Sequence, residues 1–522
     1  EIMPSLVGSE MCIRDSTVRA DNALTLNPGA DLDLAGRPVL FDDVVKYSWG
    51  GDVTLESRHG DIVQAAGSRI DLSARYNRAG RLTAIALDPN AGRVDLQGSI
   101  LGSASGDYEA GGTRVPYAYG GADIRAQQVD FAALNQRLND GQVYGSRSLQ
   151  LKRGNLVIGD EVRAREVNIS VDAGSLTVAG RIDASGAGVG SIRLSARDGL
   201  RLAGNAVLDA HGTDLRVDSY GKIIDSPNRA IVELNAGKGK LQLDSGARID
   251  LRAGTDSARN DGLPRGTLEL NAPRLGGITG GDIDIDARGP LDIRGARSIA
   301  VNGVWVYTDA PAGTENNAGG KPYQVIDQAY LNQLNSDSRD FINNALANRN
   351  LVDNKLAGLR PYADALHLRP GVEIRSATPD GDLVVQGDLD LSGMRYASLN
   401  PHTPLNPAIY GSGEVGNLVI RAGGDLQIHG SINDGFAPPP DVKQDADGWR
   451  LLPGYDFLGG DMITPHAGVT LAAGTLLPGG VVLNYAVPLQ GATYRAGTVL
   501  PVTAPLARAL TCLLYTSDAA DE

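Results

Sequence analysis

The chain has 522 residues, with 48 basic and 62 acidic side chains and a formal charge of −14. That balance excludes a nucleic-acid binder working through clustered Lys and Arg, and no run reaches the roughly 18 uninterrupted apolar residues of a membrane-spanning helix. Aromatics are only 5% of the chain while Gly is 67 residues, well above the usual ~7%, so any interior must be built from Val, Ile, Leu and Ala.

In chain order, the two ends come first because they read differently from everything between them. SLVGSEMCIRDS (Ser5–Ser16) and TCLLYTSDAADE (Thr511–Glu522) resemble translated sequencing-adapter DNA, so 1–16 and 511–522 are set aside from fold reasoning. Both cysteines, Cys12 and Cys512, fall in these flanks, which leaves a cysteine-free core and implies an internal fragment of a longer protein. The alternative is a pair of native termini joined by a disulfide.

Residues 17–308 carry a repeat. An Ile-Asp unit recurs as RIDLSA (Arg69–Ala74), RIDASG (Arg181–Gly186), VLDAHG (Val207–Gly212) and RIDLRAG (Arg248–Gly254), and again later as DLDLSG (Asp388–Gly393). A Gly-aliphatic unit recurs as GRVDLQG (Gly92–Gly98), GSIRLSA (Gly190–Ala196), IVELNA (Ile231–Ala236), GTLELNA (Gly266–Ala272) and GNLVIRA (Gly416–Ala422). Both alternate with period two, the spacing of strands, and shorter strands such as SLTV (Ser175–Val178), KLQL (Lys240–Leu243) and DLQI (Asp425–Ile428) lie between them. Such short strands cannot bury an apolar face alone, whereas stacked copies form continuous aliphatic columns. The expected fold is all-β, a right-handed parallel β-helix. Long irregular segments follow the Ile-Asp corner at 76–91, 212–229, 255–265 and 394–415, which puts a row of loops on one flank. Such a row is either a binding face or tolerated decoration.

Two excursions interrupt the pattern. Within 309–366, apolar stripes at Val325, Ile326, Ala329, Tyr330 and Leu334 and at Phe341, Ile342, Ala345 and Leu346 predict a loop followed by a small helical hairpin, with Ser336 or Ser338 as the N-cap between two helices. The β-helix resumes over 367–435. From 436 to 510, three consecutive prolines and regular Pro-Gly turns predict a hairpin-rich β excursion.

Chemical motifs are sparse. His59, His211, His367, His402, His429 and His466 show no metal-ligand spacing, so no metal site is expected. Gly411, Gly413 and Gly416 match GxGxxG but lead into a strand, which rules out the nucleotide-binding turn, and no cofactor is expected. Asp282, Asp284 and Asp286 share one face of GGDIDIDARG, a pattern more often a solvated edge than an acid-base or cation site. Glycoside hydrolysis needs two carboxylates facing one groove, and spacing alone nominates no pair and no catalytic residue. Trp49, Trp305 (with Tyr307) and Trp449 are candidates for sugar stacking, with packing as the commoner use.

These Gly-rich strand units, the IDLSG-like corner and the block HLRPGVEIRSATPDGDLVVQGDLDLSGMRY (His367–Tyr396) resemble two-partner-secretion exoproteins, the filamentous-haemagglutinin-like adhesins of Gram-negative bacteria. The resemblance covers most of 17–510. It implies a non-enzymatic rod that is secreted or held on the outer cell surface. Export would run through an outer-membrane pore partner, recognised by an N-terminal domain not identifiable here. Host-cell, bacterial or matrix ligands are implied, with no nucleic acid and no membrane span. A cysteine-free core suits threading of an extended chain. Two other expectations stand beside this one: the stalk of a contact-dependent toxin-delivery exoprotein, and a β-helical polysaccharide-degrading enzyme.

Overall fold

A computed structural model of the chain describes residues 15–110, 113–313 and 321–434, with short pieces between 470 and 511. The terminal stretches set aside above lie outside the described residues, apart from Asp15, Ser16 and Thr511. The chain divides into two compact units. The first holds the residues up to Val304 together with Phe341–Gly371 and Ser398–Pro404; the second holds Trp305–Asp340, Val372–Ala397 and the residues from Leu405 onward.

Among the described residues of the first unit, strands are the main regular structure and are arranged in large parallel sheets. The chain visits three sheets in turn and then returns to the first, one position further along. In one such cycle Ser191–Ala196 lies in the first sheet, Leu200–Leu202 in the second and Val207–Asp209 in the third; the next cycle places Ile231–Asn235, Leu241–Leu243 and Arg248–Asp250 beside them in register. In the first unit the Ile-Asp units are therefore third-sheet strands, and three of the four Gly-aliphatic units are first-sheet strands. The exception is GRVDLQG, whose strand Arg93–Leu96 lies in the second sheet, paired with Ile62–Gln64 and Gln128–Val129.

Alternation in sequence becomes columns in space. Ile124, Leu149, Ile169, Leu194, Leu234 and Leu270 are buried and in register along the first sheet. In the third, Ile182, Leu208, Ile249 and Ile293 form a second column. Each side chain touches its equivalents one cycle away, and burial of one Leu or Ile is worth about 1.5–3 kcal/mol.

The fourth cycle departs from the pattern. After Gly121–Ala126 and Gln128–Val129, the third-sheet position is taken by a helix, α1, Phe131–Asp140, which packs against Ser99–Leu101 on one side and Val162–Arg163 on the other. Asp130 caps it by accepting a bond from the Ala133 amide. Neither the Leu134/Leu138 pair nor the cap stood out from the strand pattern in sequence.

The helical excursion also differs from expectation. Val325 and Ile326 belong to a strand, Tyr323–Ile326, and a single unbroken helix, α2, spans Gln328–Ala347. Ser336 and Ser338 lie inside it and cap nothing. The physical reason is in the spacing: Tyr330, Leu334, Ser338, Phe341 and Ala345 follow one another by three or four residues, so the two stripes are one face, and Ser338 is itself buried. In the second unit, Ile326, Tyr330, Leu331 and Leu334 pack with Tyr307, Ile374, Leu383 and Val385. In the first, the Phe341 ring lies 4.1 Å from the Arg274 guanidinium and occupies the space a Cβ at Gly303 would need.

The second unit repeats the strand pattern on a smaller scale. Asp382–Gln386 pairs in parallel with Tyr323–Ile326 and Leu426–His429, and Leu389–Asp390 pairs with Ile432–Asn433. Of the Pro-rich region, three short antiparallel pairs are described: Thr470–Leu471 with Leu510–Thr511, Leu476–Leu477 with Ala504–Pro505, and Val487–Leu489 with Ala492–Tyr494. Apart from residues 473, 474 and 506–508, the remainder of 436–510 lies outside the described residues.

Candidate functional site: the loop-bearing edge

In the first unit the long connections recur at one step of the cycle, from the third sheet back to the first, at 34–52, 72–80, 102–120, 210–230 and 251–265. Two of them carry hairpins, Pro38–Phe41 with Val44–Tyr47 and Asp107–Ala110 with Thr113–Pro116. The segment 76–91, expected as one loop, instead contains the first-sheet strand Arg81–Ala86. Its inward residues Leu82, Ala84 and Ala86 are mostly small, which hid the alternation.

A recurring device launches four of these five connections, all but the one at 102–120. The Asp of each Ile-Asp unit turns its carboxylate back on the chain two residues later. Asp71 accepts from the Ser73 amide (2.9 Å) and hydroxyl (2.6 Å), Asp183 from the Ser185 amide (3.1 Å) and hydroxyl (2.5 Å), and Asp250 from the Arg252 amide (3.2 Å) and Nε (2.9 Å). Asp33 and Asp390 accept the amides of Ala35 and Ser392 in the same way. This Asx geometry bends the backbone out of the strand and satisfies amides that leave the ladder. Burial opposes the charge of Asp250, but its bonds to Arg252 outweigh it and hold the carboxyl below the usual range.

One corner differs. At Asp209 the residue two positions on is His211, whose Nδ1 lies 2.6 Å from Asp209 Oδ1, and Asp250 of the next cycle is in register with Asp209. These three place ligand-type atoms within 4.8 Å of one another, the one such group among the described residues. Sequence spacing missed it because Asp250 comes from another cycle, beyond the 210–230 insertion. Its carboxylates are already engaged: Asp209 by Arg181 at 2.7 Å and Asp250 by Arg252 at 2.6 Å. The arrangement fits a hydrogen-bonded corner better than a cation cage.

Successive connections also touch. Ala74 bridges Ala104, Gly186 bridges Gly212, and Asn77 Nδ2 donates to the Tyr47 carbonyl at 2.7 Å. In the first four cycles aromatic rings line this edge. Tyr47 packs on Tyr76 (centroids 4.9 Å apart), Tyr108 on Tyr117 (5.3 Å) and Tyr119 on Tyr144 (5.7 Å), while Arg78 lies 5.9 Å from the Trp49 ring.

The other residues singled out in sequence fall elsewhere. Asp282 is paired with Lys355 at 2.8 Å and Asp286 with Arg288 at 3.5 Å, while Ile283 and Ile285 are buried, the arrangement of a charge-paired edge. Gly411 and Gly413 take positive φ, and Gly416 precedes the strand Asn417–Arg421, as GSGEVG implied. Tyr307 is buried in the core of the second unit, and Trp305, partly buried, packs against that core. His402 lies 3.1 Å from Asp364, and His59 lies 3.5 Å from Asp88. Trp449 and His466 lie outside the described residues.

On the outward face of the first sheet, Glu233 and Glu269 are neighbours in register. Asn302 donates to Glu269 at 2.7 Å and Asn271 to Glu233 at 3.3 Å. Burial pushes the Glu269 carboxyl up; the Asn302 bond and Arg369 oppose that, and the Glu233 charge adds to it. Among the described residues no helix is long and apolar enough to cross a membrane. No protein-family model, curated protein or solved structure matches the chain.

Proposed function

We propose that the chain is a segment of the rod of a bacterial surface adhesin of the two-partner-secretion type, wound as a right-handed parallel β-helix that presents the loop-bearing edge for attachment to cells or matrix. The observation that carries this reading is the placement of the long connections at a single step of the cycle. Insertions scattered over three sheets would decorate a rod at random, whereas a single step concentrates variable backbone on one edge while the aliphatic columns stay unbroken. The acidic surface favours a rod that does not associate laterally. In this reading the rod is secreted through an outer-membrane pore partner and is not an enzyme; a toxin carried at a more C-terminal position would make the same rod a delivery stalk.

The test is attachment. Surfaces coated with the purified chain should retain epithelial or bacterial cells in a dose-dependent way, and free chain in excess should release them. Absence of attachment to every cell and matrix coating contradicts the adhesin reading. Recovery of the complete reading frame should add a signal peptide, a secretion domain and a neighbouring pore gene; a frame lacking all three contradicts the family.

A second reading, a polysaccharide-degrading enzyme, has one observation in its favour: the adjacent Glu233 and Glu269 with the latter's raised carboxyl. Acid-base cleavage of a glycosidic bond uses one carboxyl that keeps its proton beside a second carboxylate, and the raised Glu269 carboxyl suits the first of these roles. Release of reducing ends from pectin, xylan or peptidoglycan glycan strands, abolished by Glu269→Gln, would establish it in place of the first.

A further inference from the structure

We infer that the aromatic part of the loop-bearing edge binds a neutral oligosaccharide, with sugar rings stacked on Trp49, Tyr76, Tyr108 and Tyr119. This rests on the reading of that edge as an attachment face and gives its ligand a chemical class.

The first observation is placement. Aromatics are 5% of the chain, yet the connections of the first four cycles hold Tyr47, Trp49, Tyr76, Tyr108, Tyr117, Tyr119 and Tyr144. None of these is in the interior columns, so the stacking of the strands does not require them. The corresponding connections at 210–230 and 251–265 carry the single aromatic Tyr220.

The second is organisation. Each ring pair joins an exposed ring to a half-buried one: Tyr76 with Tyr47, Tyr108 with Tyr117, and Tyr119 with Tyr144. The half-buried partner fixes the exposed ring before any ligand arrives. Trp49 and Tyr76 remain 51% and 52% exposed. Rigid aromatic side chains offer large contact area at small entropic cost, and their negative faces suit the C–H groups on the flat side of a pyranose.

The third is charge. The four connections at 34–52, 72–80, 102–120 and 141–145 contain five basic residues (Arg37, Lys46, Arg75, Arg78, Arg114) and five acidic ones (Asp42, Asp43, Asp52, Asp107, Glu109), in a chain of net charge −14. A balanced rim on an acidic protein favours neither a polyanion nor a polycation. It does supply hydrogen-bonding groups for sugar hydroxyls beside the rings.

The experiment titrates the full chain with cellohexaose, maltohexaose and chitohexaose by calorimetry, after a screen of immobilised neutral, sialylated and sulfated glycans. At least one neutral hexasaccharide should bind, and Trp49→Ala and Tyr76→Ala should each weaken it tenfold or more with an unchanged circular dichroism spectrum. Tyr220→Ala, at an exposed ring on another connection, should leave the affinity as it was. Retention of sulfated or sialylated glycans alone, no glycan binding at all, or binding unaffected by both ring variants overturns the proposal. So does a protein ligand that requires Trp49 while no glycan does. Cell attachment separates the two claims: attachment without glycan binding removes this inference and leaves the adhesin reading, and glycan binding without attachment does the reverse.

Discussion

In the eighth cycle the third-sheet position is a strand, Arg248–Asp250, whose Ile249 continues an aliphatic column between Leu208 and Ile293. In the fourth cycle the same position is the helix α1, and the adjoining first-sheet column holds Arg147 between Ala122 and Val167. Arg147 is buried among Asn135 Oδ1 at 2.6 Å, Asn139 Oδ1 at 2.7 Å and the Val143 carbonyl at 3.2 Å, with no carboxylate among these acceptors. Burial pushes its guanidinium down to about 10. The eighth cycle is thus held by neighbours above and below, each interchangeable with the next. The fourth is held by a local polar network in which every acceptor is specific. An aliphatic column tolerates changes of shape and fails on charge; the plug carries a charge and fails when an acceptor is lost.

The largest break in this comparison should come from Ile249→Asp, which buries an unpaired carboxylate in the column and is expected to cost about 4 kcal/mol. Urea unfolding followed by circular dichroism checks it, and wild-type-like unfolding would place Ile249 outside the core. Next, Asn135→Leu removes an acceptor from a buried guanidinium and should cost about 3 kcal/mol. The sharper form is the double variant: Arg147→Leu with Asn135→Leu together should cost less than Asn135→Leu alone, because the charge leaves with its acceptor. An additive or larger cost contradicts the plug.

Gly303→Ala probes packing without polarity. Its new Cβ would collide with the Phe341 ring, and overpacking of this kind costs about 2 kcal/mol; Phe341→Leu in the same background should recover part of the loss. The smallest effect concerns the corner itself. Asp250→Asn keeps the Asx acceptor but loses the charged pairing with Arg252, at about 1 kcal/mol near neutral pH. Since the folded state holds the Asp250 carboxyl below its ordinary value of 3.8, its contribution is full above that value and is lost as pH falls through and below it. Wild type should therefore lose more stability than Asp250→Asn between about pH 5 and pH 2.5. Equal losses would contradict the role of Arg252.

These cases also mark what the sequence made legible. Ile249 and Asp250 could be read because alternation and a repeated corner are local signals, and the third-sheet strands at Arg69, Arg181, Val207 and Arg248 and the first-sheet strands at 191–196, 231–235 and 266–275 followed from them. The reason for the repeated Asp, an amide accepted two residues on, is equally local. Arg147 could not be read as interior, since an arginine at an inward position is recognisable only once Asn135 and Asn139 are brought to it by a helix twelve and eight residues back. α2 was split in two because Ser338 interrupts its buried stripe. The pairs Asp209–Asp250 and Glu233–Glu269 are contacts between cycles, separated by insertions whose lengths vary, so no fixed spacing announces them. The aromatic edge escaped for a related reason: Trp49 was visible as a single residue, while the tyrosines beside it come from four different connections.

The most direct test of the account is a distance along the stack. Thr54, Thr83, Asp123, Ser148, Asn168, Arg193 and Glu233 face outward at one register position of the first sheet. Spin labels at Thr54→Cys and Glu233→Cys, with Cys12 and Cys512 replaced by Ser, should report one narrow separation near 29 Å, six strand spacings of about 4.8 Å. A broad distribution, or a separation beyond about 45 Å, would mean that the strands do not stack in this register, and the columns, the corner and the loop-bearing edge would fall with it.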